Sequence, residues 1–253
     1  GYTGQPITVV LAKALLYTHF NQKAEGIELE AYKPGDKLIP FKVVGEYKGT
    51  DLVGMEYEQL LPWVKPVSVD EEGQWHDASA QAFRVIPGDY VTTEDGTGIV
   101  HIAPTFGADD AFVAKAAGIP SLFMINKKGE TRPMVDLTGK FYLMEELDEE
   151  FLNTCVNKEL YKEYEGRWVK NAYDPQFTVE GKFDEKAAQQ AESLDVFICI
   201  NMKGENKAFK IEKHVHNYPH CWRTDKPVLY YPLDSWFIRS TAAKERMRSE
   251  EHT

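Results

Sequence analysis

The chain has 253 residues, a formal net charge of −11 and a hydrophobic content of 43%, which is enough to fill a globular core. The acidic excess excludes a uniformly basic surface for nucleic acid, so any RNA contact must be local. The spacing of Cys155, Cys199 and Cys221 matches neither a disulfide framework nor a Cys-x-x-Cys zinc pair. The N-terminal run ITVVLAKALL lacks the basic leader and cleavage site of a signal peptide, and no apolar run reaches the roughly 18 residues of a membrane helix. We therefore expect a soluble, cytoplasmic protein.

The first half of the chain is predicted to contain one helix and several short strands. Residues 7–21 begin with β-branched side chains and continue with helical spacing. The apolar residues that share this helical face are Leu11, Leu15, Leu16 and Phe20. Between 37 and 55, apolar runs alternate with Gly and Pro, which predicts short strands joined by turns. Segments 83–91 and 98–103 are also predicted to be strands, each introduced by a turn.

The second half of the chain is predicted to be richer in helix. The run AFVAKAAG predicts a helix that begins at Asp109 and Asp110, with an aspartate as N-cap, and that ends near Gly118. The other predicted elements are a strand at 121–126, a turn at 127–129, amphipathic helices at 146–161 and 184–195, and a buried strand at 196–202.

These elements predict a mixed α/β fold with strands in short antiparallel clusters and helices around them. A doubly wound nucleotide-binding domain is disfavoured, because regular strand–helix alternation and glycine-rich phosphate-binding motifs are absent from the sequence. The segment 214–241 is dense in aromatic and polar residues. Its His214, His216, His220 and Cys221 do not have the spacing of a standard zinc pair, so we expect this segment to connect domains and to bind no metal.

Residues 91–110, VTTEDGTGIVHIAPTFGADD, combine a glycine-framed turn, a strand that carries His101 and an acidic helix start. Each part alone has a plain structural explanation. An aspartate at a helix start is commonly an N-cap, a single histidine on a strand is commonly a core or surface residue, and glycine turns commonly satisfy backbone geometry. The functional prediction therefore depends on the combination.

GTGIVHIAPTFGADD resembles the editing domain of the class I aminoacyl-tRNA synthetases for branched aliphatic amino acids, and His101 favours the isoleucyl branch. The matching residues are Gly96, Thr97, Gly98, His101, Ala103, Pro104, Gly107, Asp109 and Asp110. Segments 48–62, 85–98 and 217–239 are similar to the same family, so the resemblance covers residues 1–247. It implies the editing-domain fold of that family, in which strand clusters form a barrel-like core surrounded by helices.

The resemblance also implies an activity, which is hydrolytic post-transfer editing of Val-tRNA(Ile) by attack of water on the ester. Asp110 and His101 are the implied catalytic residues. Asp110, beside a helix N-terminus, suits the cationic α-amino group of the substrate, and His101 suits a sieving and water-positioning role. The implied substrate-binding residues are Thr92, Thr93, Thr97, Gly98, Gly107 and Asp109. No metal site is implied.

The family pattern divides the chain into an editing domain at 1–213, a segment at 214–247 that returns toward a catalytic domain, and a tail at 248–253 that is foreign to the family. The His-x-Gly-His and Lys-Met-Ser-Lys-Ser signatures of the synthetic reaction are absent, so ATP and Mg²⁺ are expected only for the parent enzyme's synthetic site. Editing needs no cofactor. The implied partners are the 3′ acceptor end of tRNA(Ile), misattached valine and the catalytic domain of a monomeric parent enzyme, with no membrane.

Two alternatives stay open. A valyl-type editing domain would act on Thr-tRNA, and a lysine at the position of His101 would mark it. An inert module that only binds the tRNA 3′ end is the other alternative, because the threonine-rich peptide that forms the facing wall of the family's editing pocket is absent from this sequence.

Overall fold

The computed structural model of the protein describes residues 3–180, 182–213, 217–224, 226–233, 235–236, 238–244 and 246. The α-helices are α1 (Leu16–His19), α2 (Gly49–Leu52), α3 (Ala108–Ala117), α4 (Glu149–Thr154), α5 (Lys158–Tyr161), α6 (Glu185–Gln190) and α7 (Leu194–Gly204). The strands are β1 (Val67–Val69), β2 (Trp75–Asp77), β3 (Met124–Ile125), β4 (Thr131–Arg132), β5 (Thr178–Val179) and β6 (Lys182–Phe183). Short 3₁₀ helices occupy Lys13–Leu15, Gln22–Ala24, Leu29–Ala31, Ser79–Gln81, Met144–Glu146, Asn171–Tyr173, Pro175–Phe177 and Ser240–Ala243.

Some sequence predictions fall on residues outside this description. The predicted tail at 248–253 and the histidines His214 and His216 lie there. Within the described residues, no helix combines the length and the apolar character needed to cross a membrane.

The described strands form three separate two-stranded antiparallel sheets, which pair β1 with β2, β3 with β4, and β5 with β6. In the first sheet, Val67 lies opposite Asp77 and Val69 lies opposite Trp75. Each strand pairs with the next strand along the chain through a tight turn, so the ladders end after two or three residue pairs. The mixed α/β class is therefore confirmed. The predicted barrel-like core is wrong for the described part of the chain, because the sheets do not close on one another.

One large cluster of apolar side chains forms the main core. Phe151, Met124 and Tyr161 are each 0% exposed within it. The Tyr161 hydroxyl donates a hydrogen bond to the Tyr142 carbonyl oxygen at 2.7 Å, which satisfies a polar atom that is removed from water. Burial raises the pKa of the Tyr161 hydroxyl well above its usual range. The buried members of the cluster are Trp63, Val64, Val67, Met124, Ile125, Met134, Val135, Phe141, Leu147, Phe151, Cys155, Val156, Tyr161, Tyr164 and Leu194.

The predicted helix at 146–161 exists but is interrupted, giving α4 and α5. Val156, between them, pairs with Val64 in an antiparallel bridge. The Lys65 N–H also donates to the Cys155 carbonyl oxygen at 2.8 Å. These long-range backbone bonds replace the helical bonds that would have joined the two halves.

The predicted buried strand at 196–202 is wrong, because these residues lie in helix α7. The Ser193 hydroxyl accepts a hydrogen bond from the Val196 N–H at 3.4 Å and caps the helix. The residues that face the main core at helical spacing are Leu194, Phe197, Ile198 and Asn201. The predicted helix at 184–195 is confirmed in its first part as α6.

Three segments predicted to be strands form no regular ladders in the described chain. Segment 37–55 contributes only a bridge between Phe41 and Glu25, and its 49–52 stretch is helix α2. Segment 83–91 contributes a bridge between Arg84 and Glu56 and is interrupted by the positive φ of 52° at Phe83. Segment 98–103 makes no bridge in the described chain. An extended backbone becomes a strand only where a partner strand lies beside it.

The remaining local predictions agree better with the structure. Residues 7–21 contain a 3₁₀ turn followed by α1, and Phe20 packs on Phe41 and Phe209 at ring-centroid distances of 4.8 and 5.0 Å. The strand at 121–126 is confirmed in its second half as β3. The turn at 127–129 is confirmed, since the Gly129 N–H donates to the Asn126 carbonyl oxygen at 2.9 Å.

Asp148 should stabilise α4 by capping it. Its Oδ1 accepts a hydrogen bond from the Phe151 N–H at 2.9 Å. We expect Asp148→Ala to lower the free energy of unfolding by about 1 kcal/mol, measured by urea denaturation. Asparagine is an equally good N-cap, so Asp148→Asn should keep most of this stability. Equal losses in the two variants would contradict the capping role.

Candidate active site

Asp110 closes a loop at the start of α3. The helix begins at Ala108, and its N-cap is Gly107, which makes no side-chain capping bond. The predicted aspartate N-cap is therefore wrong. Asp110 lies in the first turn of the helix, and its Oδ2 accepts a hydrogen bond from the Ala103 N–H at 2.9 Å. This bond fixes the carboxylate against the end of the segment that carries His101.

Gly107 is required by this arrangement. A Cβ atom built at Gly107 would lie 2.7 Å from Oδ2 of Asp110, closer than real Cβ contacts allow. The Gly107 N–H also donates to the Ala103 carbonyl oxygen at 3.1 Å, so the loop is closed by bonds to both backbone groups of Ala103. A larger residue at position 107 would push the carboxylate away from Ala103.

The loop is anchored to the main core by the two residues that precede Gly107. Thr105 is 8% exposed, and its hydroxyl donates to the Leu122 carbonyl oxygen at 2.9 Å. Phe106 packs against the main core and approaches the ring of Tyr231 edge-on, with centroids 6.3 Å apart. Thr105 and Phe106 thus attach the start of α3 to the main core. Asp110 itself is only partly buried.

His101 lies two residues before Ala103 and is exposed. Since consecutive Cα atoms are about 3.8 Å apart, its Cα lies within about 7.6 Å of the Cα of Ala103. In the described chain no hydrogen bond holds its ring, which leaves both ring nitrogens available to a ligand or water. The structure therefore brings His101, Gly107 and Asp110 into one loop and helix start.

The glycine turn ahead of His101 docks on the N-terminal helical segment. The Ala12 N–H donates to the Thr97 carbonyl oxygen at 2.8 Å, and Nε2 of His19 lies 2.6 Å from the Gly96 carbonyl oxygen. Gly98 has a φ of +75°, and a Cβ atom built there would lie 2.5 Å from the Cβ of Ala12. Gly98 is therefore required for packing against Ala12.

Replacing Gly98 by alanine should detach this turn. The positive φ and the collision with Ala12 each oppose a side chain, and we expect a loss of about 1–3 kcal/mol in the free energy of unfolding. Amide hydrogen exchange at Ala12 should become faster, because its bond to the Thr97 carbonyl oxygen is lost. Gly73→Ala is the control, since Gly73 also has a positive φ of 82° but has open space around the added Cβ. Similar losses in both variants would mean that φ alone, and not docking on Ala12, explains the effect.

The other predicted site residues are less closely connected to this loop. Thr92 and Thr93 are exposed, and in the described chain neither makes a hydrogen bond. The Thr97 hydroxyl donates to the Ile99 carbonyl oxygen at 3.0 Å within its own turn. Asp109 is exposed in the first turn of α3, beside Asp110. Their predicted role in substrate binding stays a prediction.

The first turn of α3 has a defined electrostatic character. Its helix dipole and free N–H groups favour anions, and Asp109 and Asp110 supply two carboxylates there. The Ala103 bond uses one of about four acceptor positions of the Asp110 carboxylate, so the others can accept bonds from a cation such as an ammonium group. Among the described residues, no group of three or more His, Cys, Asp or Glu side chains could hold a metal ion.

Two grooves were found in the described part of the chain, and neither is lined by His101 or Asp110. One, of about 380 Å³, lies between α6 and the segment around His220. The other, of about 410 Å³, is formed by residues 27–40. His101 is exposed and Asp110 is only partly buried, so the candidate site is accessible from solvent.

Comparison with known proteins finds isoleucine–tRNA ligases. The chain is 78% identical over 246 residues to the isoleucine–tRNA ligase of Bacteroides thetaiotaomicron, covering 97% of the chain and 21% of that protein. This chain is homologous to a segment of isoleucine–tRNA ligases. The ligase of Porphyromonas gingivalis is 56% identical over 247 residues, and that of Clostridium tetani is 37% identical over 207 residues, which is 82% of the chain and 14% of that protein. The predicted resemblance to the isoleucyl branch is confirmed, although no family model matches the chain.

The chain spans about a fifth of the length of the isoleucine–tRNA ligases that it matches at high identity. Within this chain, sequence reasoning identified His101 and Asp110 but missed the residues that support them. Thr105 and His19 gave no local signal, because their partners, the carbonyl oxygens of Leu122 and Gly96, lie far along the chain. The bond from the Ala103 N–H to Asp110 spans only seven residues, but it was missed because an aspartate at a helix start was interpreted as an N-cap.

Proposed function

We propose that the chain is the editing region of an isoleucine–tRNA ligase and that it hydrolyses valine attached in error to tRNA(Ile). Homology to these ligases over 97% of the chain supports the proposal. The observation that carries it is the Asp110 carboxylate, held 2.9 Å from the Ala103 N–H in the same loop that bears His101. An anion and an imidazole at one accessible surface suit an aminoacyl ester, whose free amino group is cationic.

A second site is needed because isoleucine and valine differ by one methylene group. Isoleucyl-tRNA synthetases illustrate this problem, because one methylene group contributes only about 1–3 kcal/mol to discrimination between two bound amino acids. A separate hydrolytic site can accept the smaller valyl group and exclude isoleucine by size. His101, exposed beside the Asp110 loop, is the side chain proposed to set that size limit.

The proposed reaction is a simple ester hydrolysis. A water molecule adds to the ester carbonyl carbon, the bond to the ribose oxygen breaks, and that oxygen takes a proton to give free valine and a free ribose hydroxyl. Asp110 would hold the α-ammonium group with the acceptor positions that Ala103 leaves free. His101 would orient the substrate side chain or the attacking water. The exposed threonines Thr92, Thr93 and Thr97 are proposed to contact the substrate at the edge of the site.

The proposal includes partners and excludes a cofactor for hydrolysis. The tRNA acceptor end and the catalytic domain of a monomeric, cytoplasmic ligase are the proposed partners. ATP and Mg²⁺ would serve the synthetic reaction, whose signature motifs this sequence lacks. The proposed domain limits are 1–213 for the editing domain and 214–247 for the return segment.

Deacylation of three substrates tests the proposal. The chain is incubated with valyl-tRNA(Ile), isoleucyl-tRNA(Ile) and threonyl-tRNA, each carrying a radiolabelled amino acid, and acid-precipitable label is followed against samples without protein. We expect faster loss of the valyl ester than of the other two. Preference for the threonyl ester would overturn the proposal in favour of the valyl-type alternative.

A binding module without hydrolysis is the second candidate, and one observation favours it. His101 is exposed and Asp110 is only partly buried, whereas selection by size needs walls around the substrate side chain. Unchanged esters together with measurable tRNA binding would support this module and contradict the hydrolytic proposal for the chain.

A further inference from the structure

Residues 218–224 and 226–228 form a hairpin beside α6, which we call the aromatic hairpin. The Cys221 N–H donates to the Lys226 carbonyl oxygen at 2.8 Å, and the Val228 N–H donates to the Pro219 carbonyl oxygen at 2.9 Å. The Tyr218 hydroxyl donates to the Val228 carbonyl oxygen at 3.0 Å and ties its two arms together. The hairpin thus has a defined shape within the proposed return segment, and the proposed hydrolytic step does not use it.

The aromatic hairpin presents ring faces next to cations. Trp222 is 83% exposed, and the guanidinium carbon of Arg223 lies 4.3 Å from the centre of its ring. Below it, Nζ of Lys170 lies 4.4 Å from the centre of the Tyr218 ring. Of the two rings only that of Trp222 is exposed, since Tyr218 is partly buried; an exposed ring beside a cation can bind a base by stacking and a phosphate by charge.

A groove of about 380 Å³ runs between the aromatic hairpin and α6. His220 and Lys226 line its hairpin side, and Glu185 of α6 lines the other. Lys226 and His220 therefore place one cationic and one potentially cationic side chain in the groove, and Lys170 directly precedes Asn171, which also lines it.

We propose that the aromatic hairpin is a docking surface for a single-stranded segment of the tRNA. Trp222 stacks on a base, and Arg223, Lys226 and Lys170 contact phosphates. Charge complementarity carries this choice of partner, because Arg223, Lys226 and Lys170 place positive charge around the hairpin, whereas the whole chain has a net charge of −11. The inference rests on the proposed function and deepens it by naming a surface that holds the RNA substrate in addition to the Asp110 loop.

Fluorescence anisotropy tests the proposal with uncharged probes, so that hydrolysis plays no part. The probes are a labelled single-stranded RNA of about twelve nucleotides and intact uncharged tRNA(Ile). We expect Trp222→Ala to raise Kd about tenfold and Trp222→Phe to retain most of the affinity, since a ring face remains. The double variant Arg223→Ala, Lys226→Ala should reduce the slope of log Kd against log salt by about 1.4, which is two phosphate contacts to a single strand.

Matched controls separate docking from general effects. The double variant Lys127→Ala, Lys128→Ala removes two exposed cations from the β3–β4 turn. Tyr47→Ala removes an aromatic side chain that is 75% exposed. Both should bind RNA like the unsubstituted chain, and circular dichroism should confirm that every variant is folded.

Equal losses in the controls, or unchanged binding in the Trp222 and Arg223 variants, would overturn the proposal. Hydrolysis of valyl-tRNA(Ile) with no effect of the hairpin variants on Kd would leave the proposed function standing and overturn this inference alone. Binding that depends on Trp222 in a chain that does not hydrolyse the ester would support this inference and overturn the proposed hydrolysis.

Discussion

Replacing Asp110 by asparagine should lower kcat/KM for hydrolysis of valyl-tRNA(Ile) by about ten- to a hundredfold. A hydrogen bond to a charged group is worth about 1.5–3 kcal/mol, and the substitution removes the charge that would pair with the ammonium. Asparagine still has an oxygen that can accept the Ala103 N–H, so the loop at the start of α3 should stay closed. Hydrolysis of the labelled ester measures the rate, and the thermal unfolding midpoint should change little.

Comparison with Asp110→Ala separates charge from position. Alanine removes both the charge and the acceptor for the Ala103 N–H, so it should lower the thermal unfolding midpoint as well as the rate. Asp195→Asn is the matched control, because it removes an exposed carboxylate from the first turn of another helix, α7. An Asp195 variant that loses as much activity as the Asp110 variant would assign the effect to overall charge. A fully active Asp110→Asn variant would exclude Asp110 as the ammonium partner.

Local signals predicted the parts of this fold that depend on neighbouring residues. The end of α3 follows from Gly118, which is the C-cap residue and adopts a left-handed φ of 67°. The turn before β4 follows similarly from Asn126 and Gly129, whose bond spans three residues. In both cases the residue type and the bond partner lie within one turn of the chain, so the sequence contains the whole interaction.

The run at 196–202 was misassigned because residue type and spacing disagreed. Val196, Ile198 and Ile200 are β-branched and favour strands, but the positions that reach the core have helical spacing. Ser193 supplied a capping signal that could have decided between them. Val196 and Ile200 are half exposed on the helix, which a buried strand would not allow.

Pairing between distant segments could not be predicted. Segment 98–103 was predicted to be a strand, yet no strand lies beside it in the described chain; instead the preceding Thr97 bonds to the N-terminal segment, and Ala103 bonds to Asp110 of helix α3. The same limit applied to the candidate site. The motif identified His101 and Asp110 as partners, but the bond that closes their loop goes to the backbone of Ala103, and any residue type could provide that N–H.

Phe151→Ala should cause the largest loss of stability of any single change proposed. Its side chain is 0% exposed and meets the Trp75 ring edge-on at a centroid distance of 5.8 Å, between α4 and the β1–β2 sheet. Removing it creates a cavity and costs about 3–5 kcal/mol, a large part of the roughly 5–15 kcal/mol that stabilises a typical domain. Urea denaturation followed by circular dichroism should show a lower midpoint with an unchanged slope.

Phe112→Ala provides the matched control for this prediction. Phe112 also lies on a helix, α3, but its side chain is 77% exposed, so its truncation should change the free energy of unfolding by less than about 0.5 kcal/mol. The difference between the two variants isolates burial, since residue type, substitution and helical setting are the same. A loss at Phe112 that matched the loss at Phe151 would mean that α3 packs its outer face against another part of the protein, and the main core would then extend beyond the cluster around Phe151 and Tyr161.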